Sequence, residues 1–210
     1  MIAVIDPGSG NLASVSRALE KAGAADIRIT RDPEVVLAAD RVVLPGQGAF
    51  AACRAGLAAL PGMEEALHRH ARVLGRPFLG ICVGMQLLAE AGLEHGQTPG
   101  LAWLPGAIAP MDPRGPDGAP LPLPQMGWNQ LNIQRQHPVM AGLAPDAHAY
   151  FVHSFAWSGG SSRHVIATTD YGGPVAAVVG EDNIIGTQFH VEKSGATGLA
   201  MLRNFLGWAP

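Results

Sequence analysis

The chain has 210 residues, which suits one domain and is long enough to bury a core without a disulfide or a metal. Only 15% of them are charged, against about 25% in an average domain, and a net charge of −3 with no basic stripe excludes a nucleic-acid footprint. Apolar residues make up 48%, with 27 Gly and 17 Pro, the composition of a packed, turn-rich globule and not of a disordered chain.

The first half alternates strand and helix. Ile2 to Ile5 is a short buried-strand run closed by Asp6-Pro7-Gly8. Leu12, Val15, Ala18, Leu19 and Ala22 then form a helical stripe stopped by Gly23. Ile27 to Thr30 and Arg41 to Leu44 are further strands, the latter ending at Pro45-Gly46. Helices are predicted over Phe50 to Leu60 and Glu64 to Leu74, a strand over Pro77 to Ile81, and a short helix over Met85 to Ala91. Residues 112–127 read as a Pro/Gly-rich connector. Strand-like runs follow at Leu131–Ile133, Tyr150–Trp157, Val165–Thr169, Val175–Val179 and Ile184–His190, with Glu181-Asp182-Asn183 as a hairpin turn, and a helix over Ala196 to Phe205 closes the chain. Continuous apolar strands alternating with helices imply a parallel sheet covered on both faces. The expected fold is a single α/β domain over residues 1–210, with a mostly parallel central sheet flanked by helices and an antiparallel extension in the second half.

Two cysteines, Cys53 and Cys82, cannot make a disulfide framework. No apolar run approaches the ~18 residues of a membrane span, and the first basic residue, Arg17, leaves no signal-peptide n-region. The expected address is therefore cytoplasmic, with no membrane or nucleic-acid partner, where thiols stay reduced.

The sharpest local signal is Gly80-Ile81-Cys82-Val83-Gly84, which joins an apolar strand to a helix. Glycines two residues either side of a nucleophile permit a turn too tight for side chains, and a thiol at a helix start is more readily ionised. The same pattern also suits a small buried cysteine, the reading we give Cys53 on its alanine-rich helix. A thiolate nucleophile needs a base and an orienting acid. His190 ends an apolar run and Glu192 follows two residues later, which on an extended backbone puts both on one side. An edge-strand His–Glu pair without catalytic work has the same pattern. His68 and His70, two apart on a helix, are expected in solvent, and His95, His137, His148 and His164 lie in or beside loops. With no CxxC and no HExxH, no metal site is expected. Asp6-Pro7-Gly8-Ser9-Gly10 lacks the Lys-Ser/Thr of a P-loop. The glycines around Gln47 in Leu44-Pro45-Gly46-Gln47-Gly48-Ala49-Phe50 let a peptide N–H turn into a cleft at a strand end. With the Val83 N–H they would make an oxyanion hole, though an ordinary glycine-rich loop reads the same way.

Taken together, Asp6-Pro7-Gly8-Ser9-Gly10-Asn11, Pro45-Gly46-Gln47-Gly48, the Cys82 elbow, Met126-Gly127-Trp128-Asn129, Tyr150-Phe151-Val152-His153-Ser154 and Gly186-Thr187-Gln188-Phe189-His190 with Glu192-Lys193-Ser194 resemble one family over nearly the whole chain. It is the class I (triad) glutamine amidotransferases, in particular the glutaminase subunit of imidazole glycerol phosphate synthase from histidine biosynthesis. The resemblance implies Cys82 as nucleophile, His190 as acid and base, and Glu192 as its orienter. It implies an oxyanion hole at Gln47, Gly48 and Val83, and glutamine held near Gly46, Gln86, Glu94, His153, Ser154 and Phe155. Asn11, Trp128 and Lys193 would face a cyclase subunit in a heterodimer, to which ammonia passes for conversion of the nucleotide PRFAR to imidazole glycerol phosphate and AICAR. Hydrolase and lyase chemistry are both implied for the synthase, with no cofactor. Pro7, Gln47 and Val191 stand where the family often has Tyr, Val and Pro. Two other readings are a glutaminase of another synthase, such as that of pyridoxal phosphate, and a non-catalytic thiol sensor on the same fold.

Overall fold

A computed structural model describes all 210 residues. Its main sheet has eight strands. The apolar runs of the first half become β1 (Ile2–Ile5), β2 (Ile27–Thr30), β3 (Arg41–Gly46) and β4 (Phe78–Cys82). Helix α1 (Leu12–Ala22) buries Val15, Ala18 and Leu19, is capped at its start by the Asn11 side chain, and ends on Gly23 with a left-handed φ of 109°. Two more helices, α3 (Phe50–Ala58) and α4 (Met63–His68), precede β4, and α4 runs on into one wide turn over Arg69–Val73. A helix the apolar periodicity does not reveal, α2 (Pro33–Ala38), starts from an Asp32 cap with Pro33 at its first turn.

The parallel part of the sheet runs β2-β1-β3-β4 and continues into β14 (Ile184–Thr187). β1, β3, β4 and β14 are almost wholly buried, which is why they read as continuous apolar runs. The antiparallel extension is β13 (Pro174–Glu181), β12 (Val165–Asp170) and β9 (Asn132–Ile133). Asp182 turns the β13–β14 hairpin at a positive φ of 48°. The last helix, α6 (Gly195–Gly207), packs against α1.

Away from His190, four sequence expectations change. The helix over Met85–Ala91 is instead α5 (Val83–Gln86), a single turn. Its continuation is blocked because the carbonyls of Leu87, Leu88 and Ala89 accept from the amides of Leu101, Trp103, Leu104 and Ala102 in the chain that folds back over them. Ala91–Gly92 is thereby free to pair as β5 in a small satellite sheet with β6 (Thr98–Pro99) and β7 (Ala107–Pro110). The connector over 112–127 ends in a strand, β8 (Gln125–Gln130). The Tyr150–Trp157 run is two strands, β10 (His148–His153) paired with β8 and β11 (Phe155–Ser158) paired with β7. Ser154 stands between them, its carbonyl taken by the Met111 amide. Finally, His70 is buried, its Nε2 3.3 Å from the Pro77 carbonyl, because the turn after α4 tucks under the start of β4.

Candidate active site

The turn from β4 into α5 has the shape its glycines allow. Cys82 sits at φ 54°, a left-handed conformation uncommon for a residue with a side chain. A methyl group on Gly80 would lie 2.6 Å from the Gly84 carbonyl oxygen, and one on Gly84 only 1.8 Å from that of Leu44. The elbow is pressed onto β3, so its flanking positions have no room for a side chain and Cys82 is turned out at the strand's end. α5 contains only four residues, so its dipole contributes little to the thiol.

His190 supplies the stronger influence. Its Nδ1 lies 2.9 Å from the Glu192 carboxylate, and both side chains are nearly inaccessible. Burial opposes the charged imidazole, yet the Cys82 sulfur and the Glu192 carboxylate outweigh it and push His190 up to about 9. The contact is the one anticipated, but not for the reason anticipated. β14 ends at Thr187, and Glu192 stands in a one-turn 3₁₀ segment over Val191–Lys193, so a tight turn and not an extended strand brings the two groups together. A raised folded value has a defined consequence. The stabilisation from the charged pair is fully present below the ordinary histidine value of about 6.5 and is lost as pH rises through about 9. The melting-temperature gap between the wild type and Glu192→Gln therefore narrows between pH 6 and pH 10 (about four units spanning both values). Thermal denaturation across that range checks it; a constant gap contradicts it.

The cleft around Cys82 has a volume of about 350 Å³. Gln47, Gly48, Val83, Gln86, Glu94 and His190 line it, together with His153, Ser154, Phe155 and Lys193. Gly46 does not line it. It pairs with Cys82 across β3 and β4 and packs under the elbow, where a methyl would meet the Gly84 nitrogen at 2.7 Å. A larger groove, about 580 Å³, lies along residues 133–143, but it holds no nucleophile.

The polar groups in the cleft are oriented. Glu94 is held by the Phe50 amide at 2.9 Å, at the N-terminal end of α3. The Gln86 amide nitrogen donates to the Phe155 carbonyl at 3.2 Å and to Gln188 Oε1 at 3.1 Å, which leaves its own oxygen as an acceptor. His153 is pushed down to about 4, mainly by burial, and is neutral. Its Nδ1 faces the Phe155 carbonyl at 2.9 Å and so carries the proton; Nε2 is a buried acceptor with no partner. Gln188 was not singled out from the sequence. Fully buried, it also reaches Cys82 Sγ with its amide nitrogen at 3.9 Å. Its signal in the sequence is an uncharged polar residue inside an apolar strand-like run, two residues before His190.

Beside the cleft, Trp128 and Met126 project from β8 two residues apart, hence on one face, and are 55% and 63% exposed. Trp128 crosses Tyr150 edge-on at 5.9 Å and lies over Gly195, just past exposed Lys193. Asn11 is occupied as the α1 cap, its side-chain oxygen accepting from the Ser14 amide at 3.2 Å.

The profile of the family described as "Glutamine amidotransferase class-I" matches residues 3–208. The chain belongs to the class-I glutamine amidotransferase family. Within that family it is 52% identical, over all of its length and 99% of the relative's, to imidazole glycerol phosphate synthase subunit HisH of Rhodospirillum rubrum. It is 50% identical, over the same shares, to the subunit of that name from Caulobacter vibrioides. These identities place the amidotransferase with the HisH subunits and leave the pyridoxal-type glutaminase without support. A solved glutamine amidotransferase structure superposes with a TM-score of 0.74 at 18% identity, covering 98% of this chain and 97% of its own. A putative GMP synthase subunit from Thermoplasma acidophilum gives 0.67 at 20% identity, covering 98% and 92%. At such identities the superpositions bear on the fold of the amidotransferase alone. None of its helices is long and apolar enough to cross a membrane.

Proposed function

We propose that the chain is the glutaminase subunit of an imidazole glycerol phosphate synthase, and that Cys82, His190 and Glu192 carry the reaction. The observation behind this reading is the convergence of an elbow cysteine and a carboxylate-held histidine on a cleft with oriented amide and carboxylate groups. Protonated His190 beside the sulfur favours the Cys82 thiolate. The thiolate attacks the side-chain carboxamide carbon of glutamine, and the oxygen gains negative charge that the N–H groups of Val83 and the Gln47–Gly48 loop stabilise. His190 gives its proton to the departing nitrogen, and ammonia leaves from a Cys82 thioester. Neutral His190 then takes a proton from water, which attacks the thioester and releases glutamate and the thiolate. Glu192 fixes the tautomer and holds the imidazolium. Glu94 suits the substrate ammonium, and the unpaired acceptors on Gln86 and His153 suit its N–H groups.

The exposed Trp128 and Met126 face, with Lys193 at the mouth of the cleft and Asn11 nearby, is the docking surface for a cyclase subunit. Ammonia passes there to convert PRFAR to imidazole glycerol phosphate and AICAR. Hydrolysis belongs to this chain and the lyase step to the partner. A cytoplasmic address fits two free thiols. Glutamate release by the chain alone, and then with the cyclase subunit and nucleotide, tests the reading. Release is expected to rise on docking, because the loop carrying Gln47 and Gly48 is exposed and glycine-flanked. No release from the complex overturns the glutaminase reading; equal rates with and without the partner overturn the coupling.

A further inference from the structure

Cys53, the second thiol, has no part in the chemistry above, yet it touches the loop that lines the cleft. It lies on the buried face of α3 with no solvent exposure. Its sulfur is 3.2 Å from the Gln47 carbonyl oxygen and 3.0 Å from Ser9 Oγ. A thiol has one proton and a carbonyl can only accept. The order of the chain is therefore set: Cys53 S–H donates to Gln47, and Ser9 O–H donates to the sulfur. Burial pushes the Cys53 thiol up, which keeps the donor proton in place.

This bond is the one polar tether on the loop tip. The Gln47 carbonyl has no other partner, the Gln47 side chain has none, and neither does the backbone of Gly48. Gly48 sits at φ 88° with nothing within 4 Å of where a methyl would be, so packing does not restrain it. Because the peptide is planar and trans, a Gln47 carbonyl aimed inward at Cys53 sends the Gly48 N–H the opposite way, away from Cys53, and Gly48 is a lining residue of the cleft.

We infer that Ser9 and Cys53 are positioning residues, a two-link clip that holds the Gln47–Gly48 peptide with its N–H presented to the cleft. Ser9 belongs to the loop between β1 and α1, two residues before Asn11. The clip thus ties the donor loop to the loop that begins the docking side. The inference deepens the proposed glutaminase reading and rests on it for its catalytic part.

The test uses the complex with the cyclase subunit and three variants, Cys53→Ala, Ser9→Ala and Cys53→Ser. Loss of one aligned donor predicts a fall in kcat of about tenfold for Cys53→Ala and a smaller one for Ser9→Ala, with KM changed by less than about twofold because ground-state binding is untouched. Cys53→Ser, which keeps a donor at the same position, recovers most of the kcat. Synthesis from ammonium salts stays at the wild-type rate. In the isolated chain, the Gly48 amide resonance shifts in Cys53→Ala, while that of Gly173, on the far turn before β13, does not. An unchanged kcat or an unmoved Gly48 resonance overturns the clip. So does a loss that raises KM, follows a lowered melting temperature and is not rescued by serine. If the wild-type complex releases no glutamate, the glutaminase reading fails, and the Gly48 resonance still decides whether the clip exists.

Discussion

Replacing Cys82 with alanine abolishes glutamine-dependent synthesis while leaving ammonia-dependent synthesis by the complex intact. The sulfur is the only group at the elbow able to form the acyl intermediate, so glutaminase turnover falls by at least about 10⁴-fold. The fold survives. Cys82 is 4% exposed, so losing its sulfur leaves only a small void, and alanine retains the same Cβ at the same φ. Glu94 and Gln86, which we propose hold glutamine, are untouched, so glutamine binding is expected to persist. Glutamate release and ammonium-driven product formation, measured side by side, separate the two activities. Full glutaminase turnover in this variant overturns the assignment of Cys82, and loss of ammonia-driven synthesis shows damage to the complex instead.

Gly84→Ala acts on the fold. The added methyl would stand 1.8 Å from the Leu44 carbonyl oxygen, in the middle of β3. That oxygen is part of a strand paired on both sides, to β1 and to β4, and is not the far end of a flexible side chain. Relief requires separating the elbow from the sheet beneath it. The expected cost is about 4 kcal/mol or more, which for a domain of this size lowers the melting temperature by roughly 10 °C or prevents soluble expression. Gly48→Ala is the matched comparison. It meets no atom within 4 Å and carries only the strain of φ 88°, so it costs about 1–3 kcal/mol. Thermal unfolding of the two variants checks the ranking, and a Gly84→Ala protein as stable as the wild type would show that the elbow is not pressed on β3.

The parallel half of the sheet was legible because strands buried on both faces must be apolar throughout, and β1, β3 and β4 are. The satellite strands were not. β5 and β6 have two residues each, too short for any period to show, and β5 exists only because the 101–104 segment takes the carbonyls on which α5 would have extended. Tyr150–Trp157 reads as one strand-like run in sequence, but its two halves serve different sheets. His70 on a helix looked like a solvated residue, and the wide turn after α4 rotated it inward onto Pro77.

The same division runs through the site. Local sequence determined the elbow, since only glycine fits at positions 80 and 84, and it determined that His190 and Glu192 would be near one another. Their approach to Cys82, 108 residues away from His190 by number, was decided by the tertiary structure. β14 lies parallel beside β4 with Thr187 opposite Ile81, so the chain leaving β14 carries Gln188 and then His190 past the cysteine that ends β4. That register sets Gly186 opposite Gly80, the two positions where a side chain would strike Met85 of the elbow helix, so a slip of one residue would force a side chain into that space. The Ser9–Cys53–Gln47 contact has the same origin: two loops and a helix meet because β1 and β3 are neighbours in the sheet, which no local pattern records.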